Sequence, residues 1–274
     1  MLNSLRSLAA GLLDAALPQT CAACGVWLPA GAGIVCRACH DEVVTGLARP
    51  YCPRCARTLP RPAIQDDGCA RCRFEPFWNM AGVARVGVYE PALRALIVGL
   101  KYHGRERSAD YLAARLADAL AERDWHAGLD ALAPVPMHWL RRVQRPCDHA
   151  AILATALCRR LRLPVVRPLW RARHARSQTT LPSKAARFEN VQHCFAAAPW
   201  YWPPWPKPRV AGKTVCIVDN LAAAGATLVE VSKVLRRAGA RRIYAAVVAR
   251  PAAPGDPPTD PTAVSWDTGS QVNG

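Results

Sequence analysis

The sequence predicts an α/β domain with a largely parallel sheet, preceded by a small domain held together by metal. Three observations predict it. From residue 81 onward, strand-like apolar runs alternate with helical patterns, the signature of strands joined by crossover helices. Four CxxC pairs sit in series ahead of that region. The chain has 274 residues, 51% of them apolar, which supports a real core and excludes wholesale disorder. A formal charge of +16 and a pI near 9.8 point to anionic partners.

At the N-terminus, Leu5, Leu8, Ala9, Leu12, Leu13 and Ala16 recur at helical spacing, predicting an amphipathic helix over residues 1–14 that ends before Pro18. The apolar run Leu8 to Leu13 is cut by Asp14, far short of the roughly 18 to 20 residues a membrane span needs. No transmembrane segment or export signal is expected, so the chain is read as cytoplasmic. In that reducing compartment, closely spaced cysteine pairs bind metal or do redox work more often than they form disulfides.

The pairs are Cys21 and Cys24, Cys36 and Cys39, Cys52 and Cys55, and Cys69 and Cys72. One CxxC turn aims two thiolates at a point, and tetrahedral zinc needs two such turns, so four turns supply two closed structural zinc sites. A thioredoxin-like redox motif would instead occur once, at a strand-to-helix junction. Sequential pairing is expected, although spacing alone leaves an interleaved arrangement open. The linkers carry few large apolar side chains, so metal ligation is expected to supply folding energy. These features define a double zinc ribbon over residues 15–78. Of the four isolated cysteines, Cys158 and Cys216 lie in apolar stretches and read as buried thiols.

The second domain, residues 79–250, is read as a strand from Val83 to Tyr89, helices from Pro91 to Gly99 and from Ala109 to Ala121, and an apolar run from Leu129 to Pro136. A helix from His149 to Leu161, strands Val165 to Leu169 and Thr214 to Val218, a helix Thr227 to Ala238 and a strand Ile243 to Val248 complete it. A ligand site belongs at the carboxyl ends of such strands. The strand Thr214 to Val218 runs into Asp219, Asn220, Leu221, Ala222, Ala223, Ala224, Gly225, Ala226 and Thr227 and then into a helix. Small residues and a glycine there let backbone N–H groups meet a phosphate at a helix N-terminus, while Asp219 suits sugar hydroxyls or a hydrated metal. A ligand-free strand–turn–helix has a similar composition.

The positive charge lies in this second region, since residues 81–274 carry +14 of the +16. Residues 141–187 hold twelve Lys and Arg against Asp148 alone. Arg141, Arg142, Arg145, Arg171, Arg173 and Arg176 are candidate contacts to phosphate or nucleic acid, because guanidinium forks match phosphate oxygens; a solvated helix end is the plain alternative. The segment Pro199 to Pro208 sets Trp200, Tyr201, Trp202 and Trp205 among prolines, as a stiff loop suited to stacking on single-stranded bases or to folding over its own domain. Residues 251–274 turn to Pro, Gly, Asp, Ser and Thr and read as a disordered tail.

The knuckles, then KYHG (Lys101 to Gly104), PVP (Pro134 to Pro136) with its following arginines, Gln178, Leu181, Arg187, Asn190 and Phe195, and finally VDNLAAAGAT resemble the ComF family. The resemblance implies a zinc ribbon joined to a type I phosphoribosyltransferase-like domain, and a role in DNA uptake or processing. It implies phosphoribosyl pyrophosphate or a nucleotide as ligand, with magnesium accompanying phosphoribosyl transfer. Asp219 would lie on the ribose hydroxyls, with Asn220 beside it in the binding site, Ala223 to Thr227 around the phosphate, and Lys101 in the loop facing pyrophosphate. The sequence departs from that pattern at Asn220, where a second acid is expected, and at Ala223 and Ala224, where hydroxyl donors are expected. It departs again after the PVP arginines, at Pro146 to His149. The competing reading is a catalytically inactive single-stranded-DNA-binding protein that uses the arginine surface; a third has the ribbon docking a protein of the uptake machinery.

Overall fold

In the computed structural model, the residues described are 19–29, 31–65, 68–70, 72, 80–102, 107–144, 147–175, 183–198, 210–223, 225–252 and 256. The N-terminal helix, the aromatic loop and the tail beyond 252 apart from residue 256 lie outside them, as do Arg145, Arg176 and Ala224.

Four parallel strands form the main sheet: β1 (Gly82–Val88), β2 (Ala131–Pro134), β5 (Thr214–Leu221) and β6 (Arg242–Arg250), in the order β1-β6-β5-β2. Their β-branched and alanine-rich sequences are buried nearly throughout, as parallel strands covered on both faces must be. The helices are α1 (Arg37–Ala48), α2 (Pro91–Tyr102), α3 (Arg107–Ala121), α4 (Trp139–Gln144), α5 (His149–Leu161), α6 (Lys184–Val191) and α7 (Ala226–Arg237).

The period of two along each strand divides the core. Val215, Ile217, Ala245 and Val247 pack with Leu228, Val231 and Leu235 of α7 on one face. Cys216, Val218, Ala246 and Val248 pack with Leu96, Leu112 and Leu153 of α2, α3 and α5 on the other. Helix α5 is capped at both ends: the Asp148 side chain accepts from the Ala151 N–H, and Arg162 closes it in the left-handed region.

The expected strand Val165 to Leu169 is corrected. Val165 makes only a single parallel bridge to Leu132, and the chain then joins a separate antiparallel hairpin of β3 (Leu169–Arg171) and β4 (Phe195–Ala197). Pro164 and Pro168 flank the bridge and remove the N–H groups a longer ladder needs. Cys216 is fully buried, as expected, whereas Cys158 is half-buried.

The cysteine-rich region is not a free-standing module. Cys52, Cys55, Cys69 and Cys72 share a cluster with Met80, Val83 and Ile243. Cys21 and Cys39 share the opposite cluster with Leu93 and Leu96. The ribbon therefore borrows the core of the sheet, which a region with so few large apolar residues has to do. It also covers the sheet's open edge: the Val83 N–H donates to the Pro53 carbonyl at 2.7 Å, and the Arg85 N–H to the Tyr51 hydroxyl at 3.1 Å. Helix α1 reaches β1 through a glycine pair, a Cβ on Gly46 falling 3.7 Å from the Gly87 Cα.

Candidate functional site

Two sites emerge from the residues. The first is the pair of cysteine quartets. Cys21, Cys24, Cys36 and Cys39 form one group and Cys52, Cys55, Cys69 and Cys72 the other, with the sulfurs of each within 4.8 Å of one another. Pairing is thus sequential. A zinc–sulfur bond of about 2.3 Å places tetrahedral sulfurs about 3.8 Å apart. Cys24 and Cys36 are 3.7 Å apart, Cys52 and Cys72 3.7 Å, and Cys55 and Cys69 3.8 Å. Backbone N–H groups of Cys36 and Cys69 donate to the sulfurs of Cys21 and Cys52, as thiolates require. With four sulfurs and no open position, each quartet suits a structural zinc ion that crosslinks its loops.

The two ribbons repeat one turn. A bridge joins Thr20 to Trp27 in the first and Tyr51 to Thr58 in the second. The residue after each leading knuckle is left-handed, Gly25 at φ 79° and Ala56 at φ 60°. Glycine meets that requirement without strain; Ala56 does not.

The second site is a cavity of about 530 Å³ at the carboxyl ends of β2 and β5. Strand β5 continues past its expected end to Leu221, carrying Asp219 and Asn220 to the rim on opposite faces of the sheet. Gly225, at φ 76°, turns the chain into α7 and offers no capping side chain, so the first turn of the helix, Ala226 to Leu228, lines the cavity. From the other elements come Lys101 and Arg94 of α2, Arg141 of α4, His149 at the start of α5 and Arg171 of the β3–β4 hairpin.

Asp219 is buried, and one of its oxygens accepts the Asn220 N–H at 2.7 Å. Burial pushes its carboxyl up to about 6, against the pull of Lys101, two backbone N–H groups and Arg171. Arg171 lies over the Phe195 ring at 5.3 Å, its pKa lowered by burial first and the Arg141 charge second. The Arg171 Nε and the Asn220 Nδ2 are both buried without a hydrogen-bond partner.

Asp219, Asn220, Lys101, Ala223, Gly225, Ala226 and Thr227 therefore share one cavity. The arginines divide. Arg141 and Arg171 line that cavity, with Arg141 also donating to the Ala175 carbonyl. Arg142 pairs with Asp148 at 3.2 Å, and Arg173 donates to the carbonyls of Asn190 and Gln192. Sequence reasoning grouped Arg171 with the outer surface; its place in a short hairpin folded over the sheet depends on the pairing of β3 with β4, which local pattern does not reveal.

The cavity does not fit the magnesium ion that the resemblance implies. Among the described residues lining it, Arg94, Lys101, Arg141 and Arg171 surround a single carboxylate, Asp219. Asn220, in place of a second acid, presents a buried amide donor with no acceptor. Magnesium in such sites takes one or two carboxylates beside the substrate's phosphates, and this lining offers one carboxylate among four cations.

Comparison with known proteins agrees with these two parts. The family model of a double zinc ribbon domain matches residues 12–73, and that of a phosphoribosyl transferase domain matches residues 147–271. Competence protein F of Haemophilus influenzae is 28% identical over 79% of this chain and 90% of its own length. DNA utilization protein YhgH of Escherichia coli K12 is 25% identical over 83% of this chain and 95% of its own. Among solved structures, a purine phosphoribosyltransferase from Pyrococcus horikoshii covers 51% of this chain and 73% of its own, at 19% identity and a TM-score of 0.32. A glutamine phosphoribosylpyrophosphate amidotransferase from B. subtilis covers 51% of this chain, which spans 25% of that enzyme, at 21% identity and a TM-score of 0.32. Among the described residues no helix is long and apolar enough to cross a membrane. The chain is a homologue of Competence protein F and of DNA utilization protein YhgH, and its sequence matches a double zinc ribbon followed by a phosphoribosyl transferase domain.

Proposed function

We propose that the cavity at the end of β5 binds phosphoribosyl pyrophosphate or a nucleotide through its phosphoribosyl group, and that the protein serves DNA uptake or processing. The observation that carries the reading is the run from Asp219 through Gly225 into the uncapped N-terminus of α7. It sets a carboxylate for ribose hydroxyls beside a turn of backbone amides for a phosphate. Lys101 and Arg171 face the same space and would neutralise a pyrophosphate group, which makes displacement of pyrophosphate at the anomeric carbon the reaction the site can favour. Ala223 brings no hydroxyl, so binding rests on backbone donors and side-chain cations. Residues 15–78 act as the ribbon and residues 79–250 as the binding domain in this scheme. The relatives' names, Competence protein F and DNA utilization protein, support the cellular role.

Isothermal titration with phosphoribosyl pyrophosphate tests the reading. The parent protein binds and Asp219→Ala loses binding; equal affinity of the two would remove Asp219 from the site.

A second reading is favoured by a groove of about 500 Å³ between α3 and α5, lined by Arg107, Arg142, Arg159 and Arg167. Near it α4 exposes Trp139 and Val143. Phosphate contacts by these arginines and stacking on Trp139 would hold single-stranded DNA without any chemistry. Asp148 and Asp110 already pair with Arg142 and Arg159, which weakens this surface relative to the cavity. DNA affinity that is steeply salt-dependent and falls with Arg107→Ala and Arg167→Ala would support it; affinity insensitive to both would end it.

A further inference from the structure

The cavity's charge is the reverse of what a divalent cation needs. Four cationic side chains, Arg94, Lys101, Arg141 and Arg171, meet one carboxylate among the described lining residues, a formal excess of three positive charges before any ligand enters. Two of the buried donors there have nothing to donate to. Asn220 is 2% exposed with an unpartnered Nδ2, and Arg171 has an unpartnered Nε while its guanidinium is held over Phe195. Both residues line the cavity, and buried donors of this kind are normally satisfied, so each lacks an acceptor that a ligand, met by a small rotation of the side chain, would supply. A metal ion would offer these donors nothing and would be repelled by the surrounding cations; phosphate and ribose oxygens would satisfy them.

We infer that the cavity binds its phosphorylated ligand directly as a polyanion, with no divalent metal required. Arg171 and Lys101 stand where a cation would otherwise neutralise the pyrophosphate, and the Asn220 amide donates to a ligand oxygen where a second carboxylate would have accepted from a hydroxyl or from metal-bound water. The inference rests on the reading of the cavity as a phosphoribosyl site and adds its metal requirement. It concerns residues of three separate elements, β5, α2 and the β3–β4 hairpin, that sequence order keeps far apart.

The test is titration of zinc-replete protein with phosphoribosyl pyrophosphate in resin-treated, magnesium-free buffer and again with magnesium added; a soluble chelator is avoided because it would strip the ribbon. The expected result is a dissociation constant that agrees within about threefold between the two buffers, well under the tenfold that 1.4 kcal/mol would produce. Arg171→Gln should weaken binding by about tenfold or more in both, the usual loss when a charged donor to a phosphate is removed. Asn220→Asp, which preserves shape, should lose affinity in magnesium-free buffer and regain it when magnesium is supplied. Circular dichroism and zinc content of the two variants identify any folding defect. Binding by the parent only with magnesium overturns the inference and leaves the phosphoribosyl reading standing. Binding in neither buffer overturns both. Equal binding by Asn220→Asp in the two buffers removes Asn220 from the assigned role and overturns the inference.

Discussion

Replacing Asp219 by Asn should shift stability towards the variant, relative to the parent, as pH rises from about 5 to about 8. The Asp219 carboxyl is raised from 3.8 to about 6, chiefly by burial, with Lys101, the backbone N–H groups of Asn220 and Leu221, and Arg171 opposing the rise. Because the folded chain holds this proton more tightly than the unfolded one, ionisation of Asp219 costs stability. The cost is absent well below the unfolded value, grows as pH climbs between the two values and is complete above the folded one. At about 1.36 kcal/mol per pKa unit the cost is about 3 kcal/mol near pH 8 and about 1.5 kcal/mol near pH 5. Asn keeps an oxygen able to accept the Asn220 N–H that Asp219 accepts at 2.7 Å. Whatever constant offset the new amide introduces, the gap between variant and parent should therefore narrow by about 1.5 kcal/mol from pH 8 to pH 5. Urea unfolding of zinc-replete protein at several pH values in that interval measures it, and the interval stops there because thiolate ligands are protonated off zinc in acid. A gap that is constant across the interval would refute the argument that this carboxylate is ionised at a cost inside the fold.

Gly87→Ala should destabilise by about 1 to 3 kcal/mol, read as a lower midpoint in urea, because its Cβ would lie 2.9 Å from Cδ1 of Leu93, a buried side chain with little room to turn aside. Ala56→Gly should stabilise by at most about 1 kcal/mol in the same assay, since φ 60° suits glycine and strains alanine while a buried methyl is lost; a destabilisation above about 1 kcal/mol would show that strain at this knuckle is negligible. Elemental analysis should return about two zinc ions per chain from two closed four-sulfur sites. Stripping zinc should raise amide exchange at Val83 and Arg85, which donate to Pro53 and Tyr51 of the second ribbon, and unchanged protection would show that the ribbon keeps its place without metal.

Much of this molecule is written locally. Helix α5 begins and ends where Asp148 and Arg162 dictate, and β5 and β6 announce themselves as short apolar runs bounded by turns. Other elements were hidden by stronger neighbouring signals. Cys39, Val43 and Gly46 give α1 a buried stripe at helical spacing, but the stripe starts inside a CxxC motif that draws attention to metal. Helix α6 has a Ser183 cap accepting from the Ala186 N–H, yet only eight residues in which to show a period.

The sequence by itself determined the chemistry: eight cysteines in four turns, and Asp219 and Asn220 ahead of a glycine-turned helix, because ligand spacing and turn geometry are properties of a few consecutive residues. Tertiary structure decided the pairing of the quartets, the ribbon's seat on the edge of β1, and the meeting of Arg171 with Lys101 and Asp219. Those depend on which strands lie side by side and which faces they bury, and residues well separated in the sequence carry no local mark of their neighbours.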